Sequence, residues 1–169
     1  MTGMSQNHTG RSSQEDTEWC YDAVHRVSRT FSLTIAELEE PLARDICVGY
    51  LLCRVADTIE DAGHIPPSAQ AELLRLYSRT LDPESEDSIR TFDESVAEWL
   101  PETLTDDWEV VDNANRALGV FRSLDNHALQ TIRGPVRELV DGMAMFVDRY
   151  ADDGGLRIKT LDELEEYCW

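Results

Sequence analysis

The segment at residues 50–61 constrains the fold more than any other, because it combines a charged row with helical apolar spacing. At about 3.6 residues per turn, one face of a helix here would carry Tyr50, Arg54, Asp57 and Asp61, with Glu60 at its margin. The opposite face would carry Val48, Leu52, Val55 and Ile59. Such a helix packs against protein on its apolar side and can line a pocket with the other. The segment therefore predicts the wall of a binding site.

Three carboxylates lie close together on this helix, at Asp57, Glu60 and Asp61. Two unit charges about 4 Å apart repel by roughly 4 kcal/mol at an effective dielectric constant of about 20, so a cleft would favour raised pKa values or a bound cation. All-oxygen ligands suit Mg²⁺, Mn²⁺ or Ca²⁺ better than zinc. Arg54, one turn earlier, is suited to grip phosphate oxygens. The pattern indicates a diphosphate site, and its plain alternative is a solvated acidic helix with one Arg–Asp pair.

The charge balance excludes several partners. With 34 acidic and 15 basic residues the formal charge is −19, so nucleic acid and anionic membrane surfaces are poor partners. Lys159 is the only lysine, and an acidic, lysine-poor chain is typical of halophilic adaptation, in which salt screens self-repulsion. The four cysteines form no CxxC pair or zinc spacing. Because no signal peptide or transmembrane segment is recognisable, we expect a cytoplasmic protein with reduced cysteines.

Apolar periodicity predicts an all-α fold, since no segment alternates as a strand would. We expect residues 1–16, which are rich in polar and small residues, to be a flexible tail, and residues 17–169 to form one domain. Helices are predicted from Thr17 to a bend at 28–32, from Pro41 through the acidic segment, over 69–81, over 106–123, and from Gly134–Pro135 to a turn at 152–155. Residues 82–105 should hold short helices and exposed turns.

The last segment begins a helix and then stops. Thr160 and Glu163 have the spacing of a capping box, yet the chain ends at Trp169 without a terminal glycine, a basic last turn or a polar tail. We therefore expect this chain to be the first part of a longer one.

Four motifs, in this order, resemble those of the squalene and phytoene synthases, the head-to-head prenyltransferases. They are Ser28-Arg29-Thr30-Phe31, Tyr50-x3-Arg54-x2-Asp57-Thr-Ile-Glu60-Asp61, Gly142-Met143-Ala144-x-Phe146 and Tyr167-Cys168. The second and third motifs are closer in sequence to those of the squalene synthase branch. The resemblance implies an all-helical isoprenoid synthase fold, truncated here, with two facing aspartate-rich helices around a central cavity.

The resemblance also implies how the cofactors bind. Asp57, Glu60 and Asp61 would bind the Mg²⁺, or Mn²⁺, that holds a substrate diphosphate. Arg54 and Arg29 would contact the diphosphate or, in a later reductive step, the phosphate of NADPH. Two elements needed for the reaction, the second aspartate-rich motif and the remainder of the NADPH site, would lie beyond Trp169. For that reason we expect the chain alone to be inactive as a synthase.

Further residues take roles from the same resemblance. Ser28 and Phe31 would line the first-substrate site with Arg29 and Arg54. Tyr50 would lie at the pocket wall, and both Tyr50 and Arg54 would be catalytic residues. Tyr167 would act on the proton lost or relayed in the first condensation.

The implied reaction joins two farnesyl diphosphates to presqualene diphosphate and reduces it to squalene with NADPH. One alternative is a phytoene synthase, which condenses two geranylgeranyl diphosphates without reduction. The other is a non-catalytic acidic helical module that only binds cations. The substrate partner is a prenyl diphosphate in both enzyme readings, and peripheral membrane association of a longer protein is compatible with either.

Overall fold

The structure is a computed structural model that describes residues 7–85, 87–151 and 158–168, with side chains from residue 14 onward. Every regular element in these ranges is a helix, which confirms the all-α prediction. The helices are α1 (Asn7–Val27), α2 (Arg29–Ala36), α3 (Leu42–Glu60), α4 (Pro67–Thr80), α5 (Ser88–Ala97), α6 (Asp106–Asp112), α7 (Ala114–Arg122), α8 (Asn126–Arg149) and α9 (Leu161–Cys168). In the described part of the chain, no helix is both long enough and apolar enough to cross a bilayer.

Helix α3 lies at the centre of the bundle, where it packs against α1, α2, α4, α6, α7 and α8. Its predicted apolar face is fully buried, with an exposed fraction of 0% at Val48, Leu52, Val55 and Ile59. Removal of this face from water is the main favourable contribution to placing the helix. The charged row on the other side is therefore held in one orientation.

Helix α4 secures the end of α3 that carries the carboxylates. The last carbonyl groups of a helix have no partner within it and need other donors. The buried amide of Gln70 supplies them, because its Nε2 donates to the carbonyl oxygens of Ile59, Glu60 and Ala62 at 3.0, 2.8 and 3.1 Å. Deeper in the core, the Tyr77 hydroxyl donates to the carbonyl oxygen of Leu52 at 2.9 Å. These bonds fix the position of the acidic end.

The first helix begins at Asn7 rather than at the expected Thr17. Its described side chains include Asp16, which forms an ion pair with Arg116 of α7 at 2.6 Å. The same guanidinium lies over the ring of Trp19, 5.0 Å from its centroid. Partners 100 residues away do not appear in local composition, and composition was the basis for expecting a tail. Residues 1–6 lie outside the described ranges.

The prediction that a helix begins at Gly134–Pro135 is wrong. Helix α8 begins at Asn126, and Pro135 lies in its interior. The Asp125 carboxylate caps the helix by accepting from the backbone N–H groups of His127 and Ala128 at 2.9 and 3.0 Å. An interior proline removes one backbone hydrogen bond, which usually breaks a helix. Here α8 continues because it packs along α4 and α3 on both sides of the proline.

Two other predicted segments differ in detail. The helix expected over 106–123 is divided at Asn113, which has φ −110° and ψ 23°, so α6 and α7 are separate. The bend expected near 28–32 occurs at Ser28, an extended residue whose hydroxyl accepts from the backbone N–H of Phe31 and starts α2. The turn predicted at 152–155 lies outside the described residues.

We expect Gln70→Met to destabilise the protein by about 1–3 kcal/mol, because the Glu60 carbonyl would lose its donor and the carbonyls of Ile59 and Ala62 would keep only backbone donors. Chemical denaturation followed by circular dichroism measures the change. Gln130→Met is the matched control, since Gln130 is exposed on α8. Equal stability of the two variants would contradict the anchoring role of Gln70.

Candidate functional site

The charged row of α3 lies where the core meets the surface. Tyr50, Arg54, Asp57 and Glu60 are half-buried, and Asp61 is exposed as the residue that follows the helix. The predicted opposition between this row and the apolar face is confirmed. Partial burial is important because it raises the cost of charge on any side chain that lacks a compensating partner.

Arg54 is held by a residue that the sequence reasoning missed. Its Nε donates to Oδ1 of Asp107, in the first turn of α6, at 2.8 Å. Sequence reasoning assigned Arg54 to phosphate oxygens and named no protein partner for it, because the 53 positions that separate Arg54 from Asp107 in the chain leave no local signal. In the described residues the terminal NH groups of Arg54 make no other hydrogen bond, so they are available to an incoming acceptor.

The carboxylates at the end of α3 are held at an electrostatic cost. Burial raises the pKa of Asp57, with Arg54 opposing and Asp61 adding to the shift. Burial also raises the pKa of Glu60; a hydrogen bond from Tyr167 partly offsets this, while Asp61 and Asp57 raise it further. A cation placed beside these groups would relieve both the desolvation and the mutual repulsion.

The donor set fits a hard divalent cation, although it does not complete a site alone. Within residues 7–85, 87–151 and 158–168, no three His, Cys, Asp or Glu side chains are grouped so as to hold a metal ion. Mg²⁺ usually takes one or two protein carboxylates and completes its shell with water and substrate phosphate. Asp57, Glu60 and Asp61 thus fit as part of a shell that a phosphate would complete.

Tyr167 lies beside the carboxylate of Glu60. Its hydroxyl donates to Oε1 of Glu60 at 3.3 Å, and its ring meets Phe146 of α8 edge-on, with centroids 5.1 Å apart. Burial raises the pKa of the Tyr167 hydroxyl, and the neighbouring Glu60 raises it further, so it carries its proton at neutral pH.

Helix α9, which carries Tyr167, is attached to α8 mainly through polar contacts. Arg149 donates to both carboxylate oxygens of Glu166 at 2.9 and 2.8 Å, and the Tyr150 hydroxyl donates to Glu163 at 2.6 Å. The predicted capping box is present, because Thr160 Oγ1 accepts from the backbone N–H of Glu163 at 3.1 Å.

Two cavities open between α3 and α8. One, of about 560 Å³, is lined by α3, α8 and Phe31 of α2. The other, of about 580 Å³, is lined by α3, α8 and α9, including Tyr167. Cys53, Pro135 and Val136 line both, so the two cavities adjoin, and together they are called here the α3–α8 groove. Its size and largely apolar lining are those of a small-molecule site.

The carboxylates flank this groove. On α3 the lining face runs from Leu42 to Cys53, and Asp57 follows one turn later on the same face. At that end Tyr167 lines the groove with its ring and contacts Glu60 with its hydroxyl. An elongated ligand in the groove would therefore have its apolar part between the helices and its anionic part beside the carboxylates.

The other predicted substrate residues are only partly brought together. The rings of Phe31 and Tyr50 stack with centroids 4.4 Å apart, and both line the groove. Ser28 is the N-cap of α2, a structural role that the sequence reasoning did not assign. Arg29 is exposed at the first position of α2. Sequence reasoning also missed His127, which lines the groove where α8 begins.

We expect Asp57→Asn to stabilise the metal-free protein at neutral pH. A carboxyl whose pKa is raised by folding contributes stability that is lost as the pH rises through its native value. The gain in Tm from Asp57→Asn should therefore shrink on acidification and vanish below pH 3.8, the ordinary pKa of an aspartate side chain. Asp22→Asn on exposed α1 makes the same change of net charge and is the control. Thermal melts in chelator test this, and equal gains for both variants at every pH would contradict it.

Comparison with known proteins supplies relatives for this arrangement. Squalene synthase 1 of Arabidopsis thaliana is 28% identical over 151 residues, which are 89% of this chain and 32% of that protein. The Botryococcus squalene synthase of Botryococcus braunii is 30% identical over 151 residues, 89% of this chain and 28% of that protein. The chain thus spans about a third of the length of these curated relatives.

The fold has a solved counterpart. The structure of TcSQS in complex with the ligand BPH1237 matches 91% of this chain and 40% of that chain, with a TM-score of 0.63 and 26% identity. This confirms the predicted isoprenoid synthase fold. The squalene/phytoene synthase family matches residues 24–169, a range that includes all four sequence motifs and both walls of the groove. The chain belongs to the squalene/phytoene synthase family.

Proposed function

We propose that Arg54 and the carboxylates Asp57, Glu60 and Asp61 form the diphosphate-binding part of a head-to-head prenyltransferase site. The substrate is farnesyl diphosphate, two molecules of which are condensed to presqualene diphosphate and then reduced to squalene with NADPH. The observation that supports this best is that Tyr167, which lines a largely apolar groove, donates to the half-buried carboxylate of Glu60, one turn from the half-buried Asp57. The squalene synthases among the relatives support the choice of product.

The diphosphate lies at the acidic end of α3. Asp57, Glu60 and Asp61 would hold Mg²⁺, or Mn²⁺. The positive charge of the metal would stabilise the negative charge that develops on the leaving diphosphate. Arg54 contributes its terminal NH groups to the phosphate oxygens, because its Nε is already fixed by Asp107. Fixing the guanidinium before the substrate arrives reduces the ordering that binding requires.

The prenyl chain lies in the α3–α8 groove. An allylic cation would be quenched by water, so the reacting carbons need a dry, apolar surrounding. The stacked rings of Phe31 and Tyr50 provide one wall, and Phe146 provides another near Tyr167. Aromatic faces also attract positive charge, which suits a wall that faces a carbocation.

Tyr167 is assigned to the proton that leaves the substrate during the condensation. Its hydroxyl lies at the junction of the carboxylates and the groove, where the reacting carbons of a bound diphosphate ester would be. The bond to Glu60 orients the hydroxyl. For the reductive step, Arg54 and the exposed Arg29 are the proposed contacts of the NADPH phosphate, on the basis of the family resemblance alone.

We expect the chain to bind farnesyl S-thiolodiphosphate, an analogue that ionises poorly, only when Mg²⁺ is present. Asp57→Asn and Asp61→Asn should each weaken this binding by about 10-fold or more, because each removes an anionic metal contact. Isothermal titration calorimetry at constant salt measures the affinities, with Asp22→Asn as the charge-matched control.

The same titrations distinguish the alternatives. Tighter binding of the geranylgeranyl analogue than of the farnesyl analogue would favour a phytoene synthase. If the chain binds Mg²⁺ but binds neither analogue, the result would favour a cation-binding module and would contradict the proposal.

A further inference from the structure

Helix α9 brings Tyr167 to the acidic end of α3, yet it is not held there by apolar burial. None of its described residues, Leu161–Cys168, is buried, and Leu161 and Leu164 are 76% and 43% exposed. A helix of 8 residues is marginal in water unless it packs against other elements. The position of Tyr167 therefore depends on the individual side-chain contacts that α9 makes.

Three of these contacts pair one face of α9 with one face of α8. Each joins a residue of α8 to a residue of α9: Tyr150 to Glu163, Arg149 to Glu166, and Phe146 to Tyr167. In both helices the three residues stand at i, i+3 and i+4, so they lie side by side on one face. Among these six side chains Arg149 is the only one with a positive charge.

Arg149 acts on the surroundings of Tyr167 in two ways. Its two terminal NH groups donate to Oε2 and Oε1 of Glu166 at 2.9 and 2.8 Å, a bidentate geometry that lysine cannot offer a carboxylate. Its guanidinium also lies over the Phe146 ring, 4.5 Å from the centroid, and the same ring meets Tyr167 edge-on. Exposed ion pairs contribute little on average, but bidentate arginine pairs are the exception. One guanidinium thus holds both the residue that precedes Tyr167 and the ring that packs against it.

Arg149 borders a cavity between α4 and α8, whereas Glu166 and Tyr167 line the α3–α8 groove. We propose that Arg149 is a positioning residue, which holds the Tyr167 hydroxyl against the carboxylate of Glu60 by fixing α9 on α8. The inference rests on the function proposed above for the purpose of this placement, which is to keep Tyr167 where a proton leaves the substrate. The placement itself can be measured without any ligand.

A fluorotyrosine incorporated at position 167 reports the placement by fluorine NMR. Because the Tyr167 hydroxyl donates to Glu60, Glu60→Gln should shift the fluorine signal in the parent chain. In Arg149→Met the shift caused by Glu60→Gln should fall by more than half, because the tyrosine no longer lies against residue 60. Arg149→Lys, which keeps the charge but not the bidentate pair, should give an intermediate shift.

Arg90→Met is the matched control, because Arg90 is an exposed arginine of α5 that forms ion pairs with Asp87 and Glu94. This variant should keep the full shift. Thermal unfolding separates positioning from stability. Since α9 buries none of its residues, Arg149→Met should have the same Tm as Arg90→Met.

Charge reversal tests whether the pair with Glu166 is the cause. Arg149→Glu and Glu166→Arg should each reduce the shift, since each places two like charges together between α8 and α9. The double variant restores an opposite pair and should recover part of the shift that both single variants lose.

The proposal is overturned if Arg149→Met keeps the full shift, or if the parent chain shows no shift to lose. A loss of shift together with a Tm below that of Arg90→Met would also overturn it, because a general loss of structure would then explain the result. So would a double variant that behaves no better than its single variants. If these shifts behave as expected but the chain binds no prenyl diphosphate analogue, the proposed function fails and the placement of Tyr167 by Arg149 stands.

Discussion

Burial of the apolar face of α3 is the interaction on which the rest of the structure depends. Six helices pack around α3, and Leu51, Leu52, Val55 and Ile59 are inaccessible to water. Rotation of this helix by one residue position, about 100°, would expose part of that face. It would also bury carboxylates without partners, which costs several kcal/mol for each charge. Core packing therefore fixes the orientation of the charged row.

The site is assembled from distant segments around this helix. Helix α6 supplies Asp107 to fix Arg54, α4 supplies Gln70 to hold the end of α3, and α9 supplies Tyr167. The carboxylates stay partly desolvated and near one another, in a chain that already carries a charge of −19. An arrangement with this cost is suited to a cationic ligand, since the same desolvation strengthens attraction to a metal ion.

Local pattern predicted much of this, and distant contacts account for the rest. The helical spacing around Asp57 predicted both faces of α3, and the hydroxylic and β-branched residues at 28–32 predicted the bend before α2. The role of Asp107 was not predictable, because it depends on contact between α6 and α3. Pro135 was misinterpreted as a helix start because packing along α8 overrides its local preference. Composition predicted a tail over residues 1–16, of which residues 7–16 belong to α1, whereas the adaptation to salt remains a prediction from composition.

The groove was the feature of the site that sequence reasoning could predict least. Its walls come from α3 and α8, about 80 residues apart in the chain, and its width depends on how closely those helices approach. The family resemblance implied a central cavity with Phe31 in the first-substrate site and Tyr50 at the wall, yet it did not identify α8 as the facing wall.

The central claim is that the acidic end of α3 binds a divalent cation together with a prenyl diphosphate. Paramagnetic broadening of backbone amide signals by Mn²⁺, with farnesyl S-thiolodiphosphate bound, tests it most directly. The account predicts that broadening centres on residues 57–61 and on Tyr167, and that it disappears in Asp57→Asn. Broadening spread over the acidic surface of α5 and α6, with the end of α3 unaffected, would contradict it.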